Sequence, residues 1–460
     1  MKARSFVNKR YSALLGIFVL TVGLVTTGQI CAGGSDLPAP EPVTITIWRT
    51  EDQRGDFEAA MGAYSAVYPH VSFDFRTFKE EEYEDELFSA WSKGEGPDIF
   101  SVPNWRLGKF REFTTPMPQT ATLRRALTET SWGREIITVE ENIVQFPGET
   151  RILDLYPQAV ASDVLYKSQV YGLPYSMDTL AMYYNRNLLA SAQIAVPPTN
   201  WEEFRNSVQA ITVLDDERNI IQPAAALGTA DNIANFFDIV SIIMMQNGAP
   251  MADNSTRALF SVETEDGRLP GIEAIDFYTK FSDPTFRTFT WDDTQLNALE
   301  AFTQGTLAFY FGYYSEREII EQRAPNLGFS YTKIPQIDTG NPVNYANYMV
   351  EAVHIGSANP EHAWNFINFT AGQEQNSIFL QATGRTPALK ALIGEKQQDS
   401  EVGIFAQQAL TAKSWYHGVD PDAAMLAFQE MINEAVAKSA TLQEIVNLAE
   451  RKVSITMQNQ

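Results

Sequence analysis

The sequence predicts an α/β fold built from two domains. Between Val43 and Val102, strand-like segments alternate with segments whose apolar residues recur at helical spacing. This alternation is typical of a parallel sheet covered by helices. The length of 460 residues exceeds what one hydrophobic core usually serves, and a composition of 44% hydrophobic and 20% charged residues is that of a globular protein.

The first predicted elements follow one another closely along the chain. They are a strand at 43–48 ("VTITIW"), a helix at 55–69, a strand at 71–78, a helix at 83–96 that ends on glycine, and a strand at 97–102. Ligands of open parallel sheets bind at the carboxyl ends of the strands. Those ends lie at 48–51 and 102–105, where we expect Trp48, Glu51, Asn104 and Trp105 to contact a ligand.

The rest of the chain is richer in predicted helices. Thr199 or Asn200 is the candidate N-cap of the first of them, and Gly305 ends the third. The predicted helices cover 199–211, 232–248, 291–305, 357–372, 423–440 and 441–453.

One aromatic segment, "TLAFYFGYY" at 306–314, is predicted to be a strand that breaks at Gly312. Alternation along the strand places Phe309 and Phe311 in the core. The break leaves Tyr313 and Tyr314 free to project toward a ligand. The alternative is that all of these rings are core, since Trp and Tyr are usually buried.

The formal net charge of -23 argues against a nucleic-acid partner, because phosphates would be repelled. Residues 1–31 have the pattern of a signal segment, with four cations followed by the apolar stretch from Ala13 to Val25. That stretch is shorter than the roughly 20 residues of a membrane span, so we expect export, with a retained anchor as the alternative. Cys31 is a candidate lipidation site or an unmodified cysteine near an ordinary cleavage site, and residues 32–42 are predicted to be a tether.

Signals for catalysis are sparse. The single cysteine excludes a disulfide within the chain and a cysteine-based metal site. His354 and His362 are not at the spacing of a metal-binding helix, and the chain has neither a glycine-rich phosphate loop nor a Gly-x-Ser-x-Gly elbow. A glycosidase needs only two facing carboxylates, so an exported carbohydrate-active enzyme stays open.

Aromatic and polar residues at predicted strand ends and loops form the candidate site instead. Rings suit the apolar faces of sugars, while acids and amides suit the hydroxyls. The candidates are Trp48, Glu51, Asn104, Trp105, Tyr175, Asp178, Asp231, Trp291, Asp292, Gly312, Tyr313, Tyr314 and Trp415.

Six motifs in the same order resemble the family 1 extracellular solute-binding proteins of ABC importers. The most specific is "VYGLPYSMDTLAMYYNRNLL", which begins at Val170. The others are "SKGEGPDIF", "PPTNWEEF", "ALEAFTQGTLAFYFGYYSE", "EHAWNFINF" and "GRTPA". The resemblance covers about Val43 to Val453.

The resemblance implies a periplasmic-binding-protein-like fold of two α/β lobes with a ligand cleft between them. It places the crossings between lobes near 174–180, 329–336 and 368–372. The expected N-lobe is 43–175 plus 332–368, and the expected C-lobe is 178–331 plus 369–460.

It also implies that a monomer captures a sugar or oligosaccharide and delivers it to membrane permease subunits driven by an ATPase, with no catalysis, cofactor or metal. Asp178 falls where relatives place a sugar-binding acid, and Tyr313 and Tyr314 fall where they place stacking rings. The C-terminal stacking ring has no clear counterpart, with Met425 or Phe428 nearest and Trp415 slightly earlier. A binding partner of a sensor kinase remains the alternative to a transporter.

Overall fold

The structure is a computed structural model that describes residues 37–132, 134–253 and 256–458. The predicted signal segment and Cys31 lie outside these residues. Buried apolar side chains form two large cores. One draws on residues 45–177 and 346–412 and defines the N-lobe, and the other draws on 180–345 and 415–457 and defines the C-lobe. A small cluster of Ala181, Tyr314, Val402 and Phe405 lies apart from both.

The strands are numbered in chain order. They are β1 Val43–Arg49, β2 Val71–Thr77, β3 Ile99–Pro103, β4 Thr120–Ser131, β5 Arg134–Gln145, β6 Leu165–Tyr166, β7 Gln169–Val170, β8 Asp178–Thr179, β9 Ala181–Asn185, β10 Val213–Leu214, β11 Ile220–Gln222, β12 Ala252–Asp253, β13 Arg257–Ala258, β14 Phe309–Gly312, β15 Phe329–Lys333, β16 Asn344–Asn347, β17 Met349–Val353 and β18 Ala412–Lys413.

The α-helices are numbered in the same way. They are α1 Arg54–Val67, α2 Glu80–Lys93, α3 Leu107–Phe110, α4 Glu149–Leu155, α5 Gln158–Val164, α6 Arg186–Ser191, α7 Trp201–Ile211, α8 Phe236–Gln246, α9 Pro270–Thr279, α10 Ala298–Thr303, α11 Glu316–Arg323, α12 Pro360–Thr370, α13 Gln373–Thr383, α14 Lys390–Lys396, α15 Gly403–Ala409, α16 Pro421–Ala437 and α17 Leu442–Thr456.

The N-lobe is built on a four-stranded sheet in the order β2-β1-β3-β17. The first three strands are parallel, and β17 returns antiparallel to β3. The predicted strands and helices between Val43 and Val102 are therefore all present. One end of this sheet faces the C-lobe. It is formed by the carboxyl ends of β1 and β3 and by the start of β17.

The C-lobe contains a three-stranded antiparallel sheet in which β9 lies between β14 and β15. All four residues of β14 are buried. Of the predicted helix at 291–305 only α10 forms, because Asp292 accepts a hydrogen bond from the Thr294 backbone N–H at 3.0 Å and holds a turn instead. Gly305 ends this helix at φ 77°, and the Asn200 side chain caps α7 by accepting from the Glu203 N–H.

The chain passes between the two cores later than the sequence predicted at two of three places. The first passage lies between Met177 and Leu180, within the predicted range. The second lies at 345–346 rather than 329–336, because β15 pairs with β9 inside the C-lobe. The third lies at 412–415 rather than 368–372, because α12 buries its apolar face in the N-lobe core. Residues 332–345 thus belong to the C-lobe and 369–412 largely to the N-lobe.

A long antiparallel ribbon of β4 and β5 was not predicted. Its strands pair over twelve positions, from Thr120↔Gln145 to Ser131↔Arg134. Ala121 and Leu123, near its base, belong to the N-lobe core. Within the described ranges, no helix is both long and apolar enough to cross a membrane.

Candidate ligand-binding cleft

A cleft of about 200 Å³ lies between the two lobes. The C-lobe contributes the segment 313–318, which runs from the end of β14 into α11. The N-lobe contributes Glu51 after β1, the segment 347–349 before and at the start of β17, and the turn 383–386 after α13. The lining residues are Glu51, Ser176, Asp178, Tyr313, Tyr314, Ser315, Arg317, Glu318, Asn347, Tyr348, Met349, Thr383, Gly384, Arg385 and Thr386.

Asp178 lies at the first lobe crossing and holds the start of α11. Its Oδ1 accepts a hydrogen bond from the Tyr314 N–H at 3.1 Å, and its Oδ2 accepts one from the Ser315 N–H at 3.0 Å. The Thr179 N–H donates to Oδ1 at 2.8 Å. Burial raises the pKa of Asp178 to about 6, although these backbone hydrogen bonds act in the opposite direction. The carboxylate therefore organises the cleft wall as well as lining the cleft.

Glu316 stabilises the sharp turn after β14. Its Oε1 accepts from the Tyr310 hydroxyl at 2.6 Å, and its Oε2 accepts from the Tyr313 N–H at 2.7 Å. Burial raises the pKa of Glu316 to about 7. A Cβ atom at Gly312 would overlap both Glu316 Oε2 and the Tyr310 ring, so the turn requires glycine for space rather than for backbone conformation.

Tyr313 and Tyr314 reach the cleft but do not expose their rings to it. Tyr313 is 5% exposed, and its hydroxyl donates a hydrogen bond to Asp238 Oδ2 at 2.7 Å. Burial raises the pKa of Asp238 to about 6. Tyr314 is 8% exposed and packs edge-on against Phe405 at 5.0 Å. The Arg317 guanidinium lies 5.1 Å from the Tyr314 ring centre. The prediction that both rings project freely is therefore wrong in this structure, because each ring has packed and bonded partners.

Arg385 brings charge into the cleft from the N-lobe side. Its guanidinium bonds Glu51 Oε2 at 2.7 Å and Asp52 Oδ1 at 2.8 Å. Asp52 is buried and also pairs with buried Arg49, which in turn pairs with Glu351. This chain of charges anchors Arg385 to the edge of the sheet. One quarter of its side chain remains exposed to the cleft.

The turn carrying Arg385 is joined to the first lobe crossing. Met177 donates its N–H to the Thr386 carbonyl at 3.0 Å, and the Thr386 hydroxyl donates to the Met177 carbonyl. Asn347 of β16 is paired with Asp178 of β8. The cleft floor is thus formed by segments of the two lobes that meet at the crossings.

Three predicted tryptophans are core residues rather than ligand contacts. Trp48, Trp291 and Trp415 are each at most 5% exposed. Trp48 packs on Phe78 at 4.5 Å, and the Trp415 ring N–H donates to Ser241 at 2.9 Å. The predictions for these three residues are wrong because their rings fill the lobe interiors.

Asn104 and Tyr175 are also buried and serve the N-lobe. The Asn104 side chain donates to Asp163 Oδ2 at 2.9 Å and accepts from the Tyr348 N–H at 3.3 Å. Tyr175 packs between Phe57 and Phe379. Neither lines the cleft, because the side chain of each is packed and bonded inside the N-lobe.

Trp105, Asp231 and Asp292 lie outside the lining of the cleft as well. Half-buried Trp105 faces the Arg106 guanidinium at 4.4 Å. Exposed Asp231 accepts hydrogen bonds from Gln429 and Asn433 of α16. Of the candidates, the structure brings together Glu51, Asp178, Tyr313 and Tyr314 in the cleft lining. Gly312 lies directly before Tyr313, at the end of β14, and is not itself part of the lining.

Sequence reasoning missed most of the polar lining. Arg385, Thr383 and Thr386 fall in or beside "GRTPA", a family motif from which no site role was predicted. Arg317 and Glu318 follow directly after the aromatic segment. In the described parts of the chain, no group of three or more His, Cys, Asp or Glu side chains is arranged to hold a metal ion.

The chain matches the family described as bacterial extracellular solute-binding protein over residues 59–404. The chain belongs to this family. Among curated relatives, this solute-binding protein is 26% identical over 250 residues to a Brucella abortus binding protein. That match covers 53% of the chain and 56% of the relative, so the chain spans little more than half of that relative's length. It is 19% identical to the galactooligosaccharide-binding protein of Bacillus subtilis, covering 76% of this chain and 74% of the relative.

Solved structures with the same fold include the cyclic α-maltosyl-1,6-maltose binding protein of Arthrobacter globiformis. The TM-score is 0.71 at 18% identity, covering 91% of this chain and 100% of that one. The sugar-binding protein MalE of Xanthomonas citri matches with a TM-score of 0.67 at 15% identity, covering 90% and 97%. These matches confirm the predicted periplasmic-binding-protein-like fold of the solute-binding protein.

Proposed function

We propose that this solute-binding protein captures a sugar or oligosaccharide between its lobes and delivers it to the permease subunits of an ABC importer. The observation that carries the proposal is the mixed lining of the cleft. Hydroxyls of Ser176, Ser315 and Thr383, the Asn347 amide and the Arg385 guanidinium converge from both lobes. Such donors and acceptors match sugar hydroxyls. Relatives and structural neighbours named for oligosaccharides support the same ligand class.

The protein is proposed to bind its ligand without turnover. Of the three carboxylates that line the cleft, Asp178 uses both oxygens on backbone N–H groups and Glu51 is paired with Arg385, which leaves only Glu318 outside these contacts. A carbohydrate hydrolase needs one carboxyl free to donate a proton and a second free to act as nucleophile or base. After incubation the ligand should be recovered chemically intact. A shortened or oxidised product would favour the alternative, an exported carbohydrate-active enzyme.

A screen of sugars by thermal shift tests the ligand class directly. A ligand at about 100 times its dissociation constant adds roughly 2.7 kcal/mol to the free energy of unfolding. The best ligand should then reduce the radius of gyration in solution scattering, because closure around the crossings draws the lobes together. No stabilisation by any mono- or oligosaccharide would contradict the proposed ligand. An unchanged scattering curve at saturation would contradict lobe closure.

The folded part is proposed to act outside the cytoplasm, close to the membrane, in keeping with a family described as extracellular. If Cys31 carries a lipid, Cys31→Ser should release the protein from the membrane fraction. If the variant stays membrane-bound, the apolar stretch from Ala13 to Val25 is the anchor. Transport and service to a sensor kinase make the same binding predictions, and co-purification with a permease would separate them.

A further inference from the structure

The ribbon of β4 and β5 ends in an aromatic residue that no part of the proposed transport cycle uses. Trp132 lies between the last paired residues, Ser131 and Arg134, and is 101% exposed. Ile137, on β5 close to the tip, is 55% exposed. A single exposed apolar residue needs no explanation, but a fully exposed tryptophan at the end of a projecting ribbon, with an exposed isoleucine near it, indicates a contact surface.

The backbone at Trp132 is also unfavourable for tryptophan. Its φ is 52°, in the left-handed region that bulky residues seldom adopt. A two-residue hairpin turn of this kind favours Asn followed by Gly, and the sequence here is Trp132 followed by Gly133. Folding therefore favours a different residue at this position. A function at the tip accounts for a tryptophan that stability does not explain.

The ribbon leaves the N-lobe beside the start of β1. The Asn142 side chain of β5 donates to the Tyr68 hydroxyl at 3.1 Å. Two residues after Tyr68, the backbone carbonyl of His70 accepts a hydrogen bond from the N–H of Val43, the first residue of β1. The ribbon and the N-terminal segment therefore emerge from the same side of the N-lobe, at the edge of the sheet opposite to the cleft.

The two extensions have comparable reach. From Asn142 to the tip the ribbon extends roughly 27 Å at about 3.4 Å per residue. From Cys31 to Val43 the chain can span at most about 40 Å. A membrane reached through residues 13–31 is thus also within reach of Trp132.

We infer that the tip of this ribbon is a second membrane contact, in which Trp132 and Ile137 insert into the interfacial region of a lipid bilayer. Tryptophan suits that region because its ring is apolar and its N–H remains available for hydrogen bonding. Four of the ribbon's seven charged residues form the cross-strand pairs Arg124–Glu141 and Arg125–Glu140, and with Glu129, Arg134 and Glu135 the ribbon carries a formal charge of only -1. Attachment is therefore apolar rather than electrostatic, which suits a chain of net charge -23. The inference rests on the proposed location beside the membrane, but not on the sugar ligand.

Quenching of tryptophan fluorescence by brominated lipid tests this contact in the full chain. The protein would be added to phosphatidylcholine vesicles with and without bromine on the acyl chains. Residues 1–36 contain no tryptophan, so insertion of that segment alone gives no quenching. The other seven tryptophans lie in the folded lobes. Brominated vesicles should therefore remove about one eighth of the emission of the parent protein.

Trp132→Asn is the matched variant, because asparagine is the residue that the turn favours. It should retain the parent's melting temperature or exceed it, bind vesicles through the N-terminal segment, and lose the bromine-dependent quenching. Equal emission of the parent in both kinds of vesicle would overturn the proposal. So would shielding of Trp132 from acrylamide in vesicle-free solution, since the protein's own chain would then cover the tip. Sugar stabilisation in Trp132→Asn would show that such a failure leaves the proposed function intact.

Discussion

The Oδ2 atom of Asp178 accepts a hydrogen bond from the backbone N–H of Ser315 at 3.0 Å, although 137 residues separate the two in the chain. With the bond from Tyr314 to Oδ1, it fixes the two residues that precede α11 to the lobe crossing. An acid at the N-terminus of a helix is favourably placed, because N–H groups there lack partners within the helix. Asp178, which the family resemblance placed as a sugar-binding acid, thus supports the wall of the cleft.

Asp178→Ala should therefore reduce both stability and ligand affinity. The variant leaves the part-buried N–H groups of Thr179 and Tyr314 without their acceptor, which costs about 1–3 kcal/mol of the free energy of unfolding. Affinity should fall by roughly 10- to 100-fold, because Tyr314 and Ser315 line the cleft. Urea unfolding without ligand and calorimetry with the best sugar measure the two effects. Weakened binding with unchanged stability would instead mean that the carboxylate serves the ligand directly.

Gly312→Ala tests the turn that positions the same segment. The added methyl group overlaps Glu316 and Tyr310, so we expect a loss of about 1–3 kcal/mol in the free energy of unfolding. Gly394→Ala is the control, because Gly394 lies in α14 with nothing within 4 Å of an added Cβ. That control should gain about 0.5–1 kcal/mol. Similar unfolding curves for the two variants would contradict the packing assigned to Gly312.

Glu316 should make stability depend on pH near neutrality. Its pKa is raised from 4.5 to about 7 by burial, so the folded protein binds a proton that the unfolded chain has released. Its contribution to stability is therefore fully present below about pH 4.5 and is lost as the pH rises through about 7, a change on the order of 3 kcal/mol. Asp178 and Asp238, with pKa values of about 6, act in the same direction.

Glu316→Gln should make the free energy of unfolding depend less steeply on pH between 5 and 8, with the remaining dependence due in part to Asp178 and Asp238. Denaturant unfolding at several pH values measures this dependence. Glu81→Gln, at an exposed position of α2, is the matched control for the loss of one carboxyl group. An unaltered slope in Glu316→Gln would mean that the carboxyl is ionised throughout this range.

Local patterns predicted the elements well and the site only in part. Asn200 was one of two predicted caps and Gly305 a predicted helix end, because both effects depend on neighbouring residues. The pairing of Glu51 with Arg385 spans 334 residues, and no local pattern encodes it. Trp291 and Trp415 were wrongly predicted to contact the ligand for the same reason. A local pattern does not show which side chains of a loop are covered by segments from elsewhere in the chain. The ribbon of β4 and β5 was missed because its alternation carries polar residues on both faces.

Arg385 is the residue whose substitution should separate ligand binding from folding. It lines the cleft on the N-lobe side, while its bonds to Glu51 and Asp52 fix its position. Loss of the whole side chain would leave buried Asp52 with Arg49 alone and would confuse the two effects. Arg385→Lys keeps the charge near Asp52 but removes the forked set of donors.

We expect Arg385→Lys to melt close to the parent protein and to bind the best sugar roughly 10- to 100-fold more weakly. Hydrogen bonds to a charged group contribute about 1.5–3 kcal/mol, and about 1.4 kcal/mol corresponds to a tenfold change in affinity. Arg54→Lys, at an exposed position of α1 in the same lobe, is the control and should change neither quantity. Calorimetry and thermal unfolding of the three proteins provide the comparison. Parent-like affinity in Arg385→Lys would mean that the guanidinium serves only the ion pairs with Glu51 and Asp52, and that the sugar is held by the hydroxyl and amide groups of the cleft.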